Sequence, residues 1–202
     1  MMIKTLAAIA FTIFTSLVSF SSVASNSSAT LTADNEFWLY SGDATGSSLS
    51  LVGHGGTWWT PYSFNFDVNP GDYLYVMAWD WGQPHSWQGV FSTPSGSLYT
   101  NTTDWVAKAV NSTTVDSNMI TTGTWSAINQ DQAYNVGPWG STVNDPNAHW
   151  IWKDGLYDSE TMVLFRSAEM VAAVPEPETY AMFMAGLGLM GFIARRRKNG
   201  QA

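Results

Sequence analysis

From residue 26 to residue 173, no stretch holds apolar side chains at helical spacing for long enough to build a packed helix. Apolar and aromatic residues come instead in short runs. Glu36 to Tyr40, Leu49 to Val52, Ser63 to Val68, Tyr73 to Asp80 and Thr161 to Arg166 are rich in the β-branched and aromatic side chains that suit a pleated surface. Turn chemistry separates them at Ser41-Gly42-Asp43, Gly53-His54-Gly55-Gly56, Asn69-Pro70-Gly71-Asp72 and Pro94-Ser95-Gly96. Short strands at this spacing predict an all-β sandwich.

Alternation within Tyr73 to Trp81 sharpens the reading. Tyr73, Tyr75, Met77, Trp79 and Trp81 fall on one face and Leu74, Val76 and Ala78 on the other. A strand apolar on both faces belongs at the centre of a sandwich, which makes Trp79 core. Trp150 and Trp152 share one face of their strand and are core on the same grounds, whereas Trp81, beside Gly82 and Pro84, belongs to a loop.

The middle segment, about 150 residues, is long enough for one domain with a real core. It lacks cysteine, so packing alone holds it together, and thiol catalysis, thiolate metal sites and disulfides are excluded. Between Asp34 and Glu169 only Lys108, Lys153 and Arg166 stand against fourteen carboxylates, a net charge of −11. Such a surface repels phosphate backbones, so nucleic acid is not an expected partner.

The two ends are of another kind. A basic start at Met1 to Lys4 precedes an apolar stretch from Leu6 to Phe20 and the small residues Ser21-Ser22-Val23-Ala24-Ser25. This is the order of a secretory signal, with residues 1–25 removed by signal peptidase after Ala24 or Ser25. A retained anchor would need a longer apolar run. At the other end Val174-Pro175-Glu176-Pro177-Glu178-Thr179-Tyr180 leads into a glycine-spotted apolar run to Ala194, then Arg195, Arg196, Arg197 and Lys198. The prolines hold an extended, accessible segment. The run from Tyr180 to Ala194 makes about 22 Å of helix against a hydrocarbon core of about 30 Å, so it can be only a short transmembrane helix. The basic cluster would remain cytoplasmic.

The segment from 174 to 202 closely resembles PEP-CTERM sorting signals: the Pro175-Glu176-Pro177 triplet, the apolar helix, then a basic stop. The resemblance implies export across the inner membrane of a Gram-negative bacterium and transient anchoring by the C-terminal helix. It further implies processing by an exosortase, a membrane-embedded transpeptidase-like cysteine protease, and delivery to the cell surface or an exopolysaccharide matrix. An ordinary anchor would leave the Pro-Glu-Pro triplet to chance.

The middle, residues 26–173, resembles galactose-binding-like jelly rolls in several short pieces. These are Thr32-Ala33-Asp34-Asn35 before a strand ending Leu39-Tyr40, Gly71 to Asp80, Pro138-Trp139-Gly140, Ala148 to Trp152, and Val163 to Arg166. Ser41-Gly42-Asp43 stands where the usual Asn-Gly hairpin would be. The resemblance implies a jelly-roll fold, with carbohydrate binding and a structural calcium as features of that family.

No catalytic constellation can be assembled. His54, His85 and His149 lie far apart without metal-ligand spacing, and His54-Gly55-Gly56 lacks any accompanying nucleophile elbow and reads as a flexible glycine turn. Asp67, Asp72, Asp80 and Asp145, near strand ends, are the candidate oxygen ligands for calcium or, alternatively, turn caps. No other cofactor is expected. The tryptophans are the functional lead, because sugar rings stack apolar C–H faces on flat aromatics while polar side chains take the hydroxyls. The candidate glycan-binding set is Trp58, Trp59, Asp80, Trp81, Gln83, His85 and Trp87, with Gln88 as a further hydroxyl partner. The expected function is a non-catalytic surface or matrix protein that binds exopolysaccharide. The alternatives are a structural or adhesive protein making protein–protein contacts, and a hydrolase.

Overall fold

The computed structural model describes residues 25–172 and 177–199. The expected signal peptide, apart from Ser25, and Pro175 and Glu176 lie outside the described residues. In chain order the strands are β1 (Ser25–Asp34), β2 (Glu36–Gly42), β3 (Ser50–Gly55), β4 (Tyr62–Val68), β5 (Tyr73–Trp79), β6 (Ser86–Thr93), β7 (Gly96–Tyr99) and β8 (Trp105–Ala109). A short helix α1 (Ser117–Thr121) follows, then β9 (Ser126–Ala127), β10 (Gln130–Gln132), β11 (Trp150–Trp152) and β12 (Met162–Ser167), and finally the tail helix α2 (Pro177–Asn199). Two antiparallel sheets result. One runs β10-β11-β6-β1-β4, with β7 paired to β6; the other runs β3-β2-β5-β12-β8-β9.

The anticipated strands form, with ends moved by one to three residues. β1 and β6 were not anticipated, although they are neighbours within the first sheet. β1 begins Ser-Asn-Ser-Ser and carries no large apolar residue before Leu31, so its period is easily missed. Its odd positions, Ser27, Ala29, Leu31 and Ala33, are nevertheless all buried. The expected Gly53-His54-Gly55-Gly56 turn is also corrected, because Gly53 to Gly55 lie in β3. Their glycines serve close packing rather than flexibility. A Cβ on Gly53 would sit 2.1 Å from the Phe64 ring, and one on Gly55 would sit 2.3 Å from Phe37.

The main core draws on both sheets: Leu31, Trp87, Phe91 and Trp152 from one, Phe37, Leu39, Val76, Val163 and Phe165 from the other. A second cluster lies on the outer face of the β5 sheet. Tyr75, Met77 and Leu164 are covered there by Val115 and Ile120, with Trp79 half-buried at its margin. The alternation of β5 is therefore realised as two cores on two faces. Lys108 fastens the cover in place. Its ammonium donates to the carbonyls of Met119, Ile120 and Thr122 at the end of α1 and lies 4.2 Å above the Trp125 ring.

Candidate functional site

Strand direction sorts the loops into two poles. At one pole lie the end of β1, the 56–61 loop after β3, the 80–85 loop after β5 and the 153–161 loop after β11. Three large aromatics project from this pole, each about two-thirds exposed: Trp59 at 64%, Trp81 at 65% and Tyr157 at 68%. Trp58 meets Trp59 edge-on at 5.6 Å, and Trp79 supports Trp81 in the same way at 5.9 Å. Three separate loops of this pole thus each carry an exposed aromatic, a side chain able to stack on a flat apolar ligand face.

Hydrogen bonds fix these loops to the sheets. Thr32 of β1 donates to the carbonyls of Thr57 and Trp58 at 2.8 and 3.1 Å. The Trp81 amide donates to Asn35 Oδ1 at 2.7 Å. Gln83 Nε2 donates to the Tyr157 and Asp158 carbonyls at 2.8 and 3.0 Å, and the His85 amide to the Leu156 carbonyl at 2.8 Å. The loops bearing Trp81 and Tyr157 are thus joined to each other.

Under the pole lies a buried polar layer. Asp80 Oδ1 accepts from the Gly82 amide at 2.5 Å, while Oδ2 lies 3.0 Å from His85 Nδ1. That second approach falls outside hydrogen-bond geometry, so both atoms are left without a proper partner in the interior. Burial pushes the Asp80 carboxyl up to about 6. Asp34, raised by its own burial, accepts from Trp139 Nε1 at 2.7 Å. His85 stacks on Trp152 with ring centres 5.3 Å apart.

The structure therefore divides the candidate glycan set. Trp58, Trp59, Trp81 and Gln83 share one pole, although Gln83 spends its amide group on the loop tie. Asp80, His85 and Trp87 are interior and cannot meet a ligand as placed. Trp87 packs edge-on against Trp105 at 4.9 Å, between the sheets. Gln88 is interior too: it donates to the Ala148 carbonyl at 2.7 Å and accepts from the Val143 amide at 2.9 Å. The reason is common to all four. Trp87 and Gln88 lie on β6 and His85 directly precedes it, while Asp80 directly follows β5, and β5 and β6 each sit mid-sheet. Tyr157 was missed because a lone tyrosine between Leu156 and Asp158 carries no pattern of its own.

The calcium candidates do not converge. Asp72 accepts from the Asn69 side chain at 3.0 Å and Asp145 from the Asn147 amide at 2.9 Å, both as turn caps. Among the described residues no three His, Asp or Glu side chains draw together as a metal cluster. Each histidine has a ring nitrogen within 3.0 Å of a carboxylate oxygen, His54 of Glu36, His85 of Asp80 and His149 of Asp131. None of them has a Ser or Thr hydroxyl among its hydrogen-bond partners in the described residues.

The tail is separate from this pole. α2 opens on Pro177, whose fixed φ suits a first helical position. Met182, Phe183, Met184, Leu187, Leu189, Met190, Phe192 and Ile193 are all exposed, leaving apolar surface on every side of the helix. Residues 173–198 match the family model of the PEP-CTERM protein-sorting motif. The tail is a PEP-CTERM sorting signal. The match supports a signal of the kind carried by exosortase substrates. No curated protein and no solved structure matches the chain.

Within the PEP-CTERM segment the helix forms as expected, over Pro177–Asn199. Among the described residues no helix is long and apolar enough to cross a membrane. Glycines at 186, 188 and 191 and the basic residues from Arg195 onward dilute the apolar run. Arg195 is exposed on α2, and the backbone of residues 196–198 continues the same helix.

Proposed function

We propose that this is a non-catalytic protein of the bacterial surface or extracellular matrix, delivered by its PEP-CTERM tail, whose jelly-roll domain binds exopolysaccharide at the aromatic pole. The supporting observation is the gathering of Trp59, Trp81 and Tyr157, all largely exposed, on loops of one pole of an acidic sandwich. The sorting motif supports export, membrane anchoring and exosortase processing, and the apolar tail is the segment that would hold the chain at the inner membrane. Sugar stacking is the chemistry that exposed, braced aromatics serve best, and carbonyls and amides of the tied loops are at hand for hydroxyls.

The test is sedimentation of residues 26–173 with the producing organism's own exopolysaccharide, compared with Trp59→Ala, Trp81→Ala and Tyr157→Ala. Saturable binding lost in the variants supports the reading; binding unchanged in all three overturns the site. The adhesive alternative draws on one feature: β4 and β3 end their sheets with one edge unpaired among the described residues. Such edges can recruit another chain. Self-association in the absence of any glycan would favour it.

A further inference from the structure

The tail leaves the sandwich at the pole opposite the aromatics. β12 ends at Ser167, and the chain stays fastened as far as Val171. The Val171 amide donates to the Asp72 carbonyl at 2.8 Å and its carbonyl accepts from the Gly71 amide at 2.9 Å, with the side chain only 2% exposed. Gly71 and Asp72 form the turn between the end of β4 and the start of β5, whereas the aromatic loops follow the end of β5 and precede β4. The first strand enters at the same place. Ser25 pairs with Val68 and Asn26 with Asp67, at the tail end of β4. Both segments that the sequence directs to a membrane thus leave from one pole.

Two lengths decide what this does. From Val171 to Pro177 the chain makes six Cα steps, a reach of at most about 22 Å. β5, seven residues long and so also six Cα steps, already separates the poles by about 20 Å before loops are added. A tail-held domain can lower its aromatic loops to headgroup level only by drawing the tether taut along its side. Exposed Trp and Tyr side chains would otherwise suit a membrane interface equally well.

We infer that, while the tail holds the chain at a bilayer, Trp59, Trp81 and Tyr157 face away from that bilayer and present a surface for an extended polyhydroxylated polymer rather than for lipid. This rests on the membrane role proposed above for the tail. It also makes the surface available before tail processing.

The chain has no cysteine, so single labels can be placed cleanly. Glu169→Cys marks the tail pole; Thr60→Cys and Ser159→Cys mark the aromatic pole; all three positions are exposed. Each full-length variant would carry a fluorophore and be bound to phosphatidylethanolamine–phosphatidylglycerol vesicles containing headgroup nitroxide lipid. Quenching several-fold stronger at 169 than at 60 and 159 is the expected result. Equal quenching at all three means a domain lying flat, and the reverse order means aromatics seated in lipid; either overturns the inference. Failure of the full chain to float with vesicles overturns the membrane role of the tail, and this inference with it. Loss of polysaccharide binding with the quenching order intact overturns only the glycan reading.

Discussion

His85 Nδ1 lies 3.0 Å from Asp80 Oδ2, while its Nε2 lies 3.0 Å from the Asp158 carbonyl oxygen. Both neighbours are acceptors, so an imidazole with one proton must face one of them lone pair to lone pair. A proton kept on the Asp80 carboxyl removes the buried charge from this approach. Asp34 and the Asp158 carboxylate, at 3.7 Å from Nε2, are the other charged groups around it.

A pH dependence follows, with its sign fixed by burial. Asp80 keeps its proton up to about 6 when folded, against 3.8 for the free side chain. Folding therefore takes up a proton between those values, and the stability conferred by the protonated group is lost as pH rises through about 6. Asp80→Asn should flatten this part of the profile by about 1–2 kcal/mol, after allowance for solvent screening near the loops. Denaturant unfolding of wild type and variant from pH 4 to 7 measures it, and parallel profiles would refute the assignment.

Trp87 separates packing from binding. Trp87→Ala should cost about 3–5 kcal/mol, the range for large aromatics lost from a core. Trp81→Ala and Tyr157→Ala, at exposed positions, should change stability by less than about 0.5 kcal/mol. Thermal melts of the three variants make the comparison.

Gly53→Ala tests the packing role of β3. Its new methyl would meet Phe64 carbons at 2.1–2.7 Å, so the ring or the strand must shift. Overpacking of this kind costs about 1–3 kcal/mol. Gly56→Ala, with nothing within 4 Å of its Cβ, is the control and should be nearly silent. Equal melting of the two variants would argue against the close approach.

Lys108→Met keeps the aliphatic stem but withdraws the ammonium from three carbonyls and the Trp125 ring. Stranded buried acceptors cost about 1–3 kcal/mol. Hydrogen exchange should rise across residues 117–122 before the β-sheets are affected. Unchanged protection there would mean that α1 is held by Ile120 alone.

Pro175→Ala with Pro177→Ala should leave the domain's melting unchanged, since the last strand of the sandwich ends at Ser167 and the chain is last fastened to it at Val171. In the producing cell the same double variant should accumulate as unprocessed, membrane-associated chain. Normal processing on an immunoblot would show that the triplet is not what the sorting enzyme reads.

Linear order carried the tail. A Pro-Glu-Pro triplet, an apolar run and a basic cluster are contiguous, and the motif they form needs no folding to be read. The sandwich was legible where strands alternate bulky residues, as in β2, β4 and β5, because a period of two is a local property. β1 was not, because Ser27 and Ala29 are buried by their neighbours' bulk rather than by their own apolarity. The glycan set divided on the same ground. Trp81 and Trp87 both lie near glycine and proline in the sequence, and only pairing told them apart: β6 goes to mid-sheet and buries Trp87, while Trp81 stays on the loop before it.

The sequence by itself determined an acidic, cysteine-free β domain followed by a sorting tail, since composition, charge order and local period are all set along the chain. Tertiary structure decided which aromatics are surface and which are core. It placed Tyr157 beside the loop of Trp81, turned Asp80 and His85 into an interior pair, and put the tail and the aromatic loops at opposite poles. Burial and proximity depend on partners tens of residues away, such as Gln83 with Tyr157 or Asp34 with Trp139. Strand order creates such partners, and no local pattern encodes them.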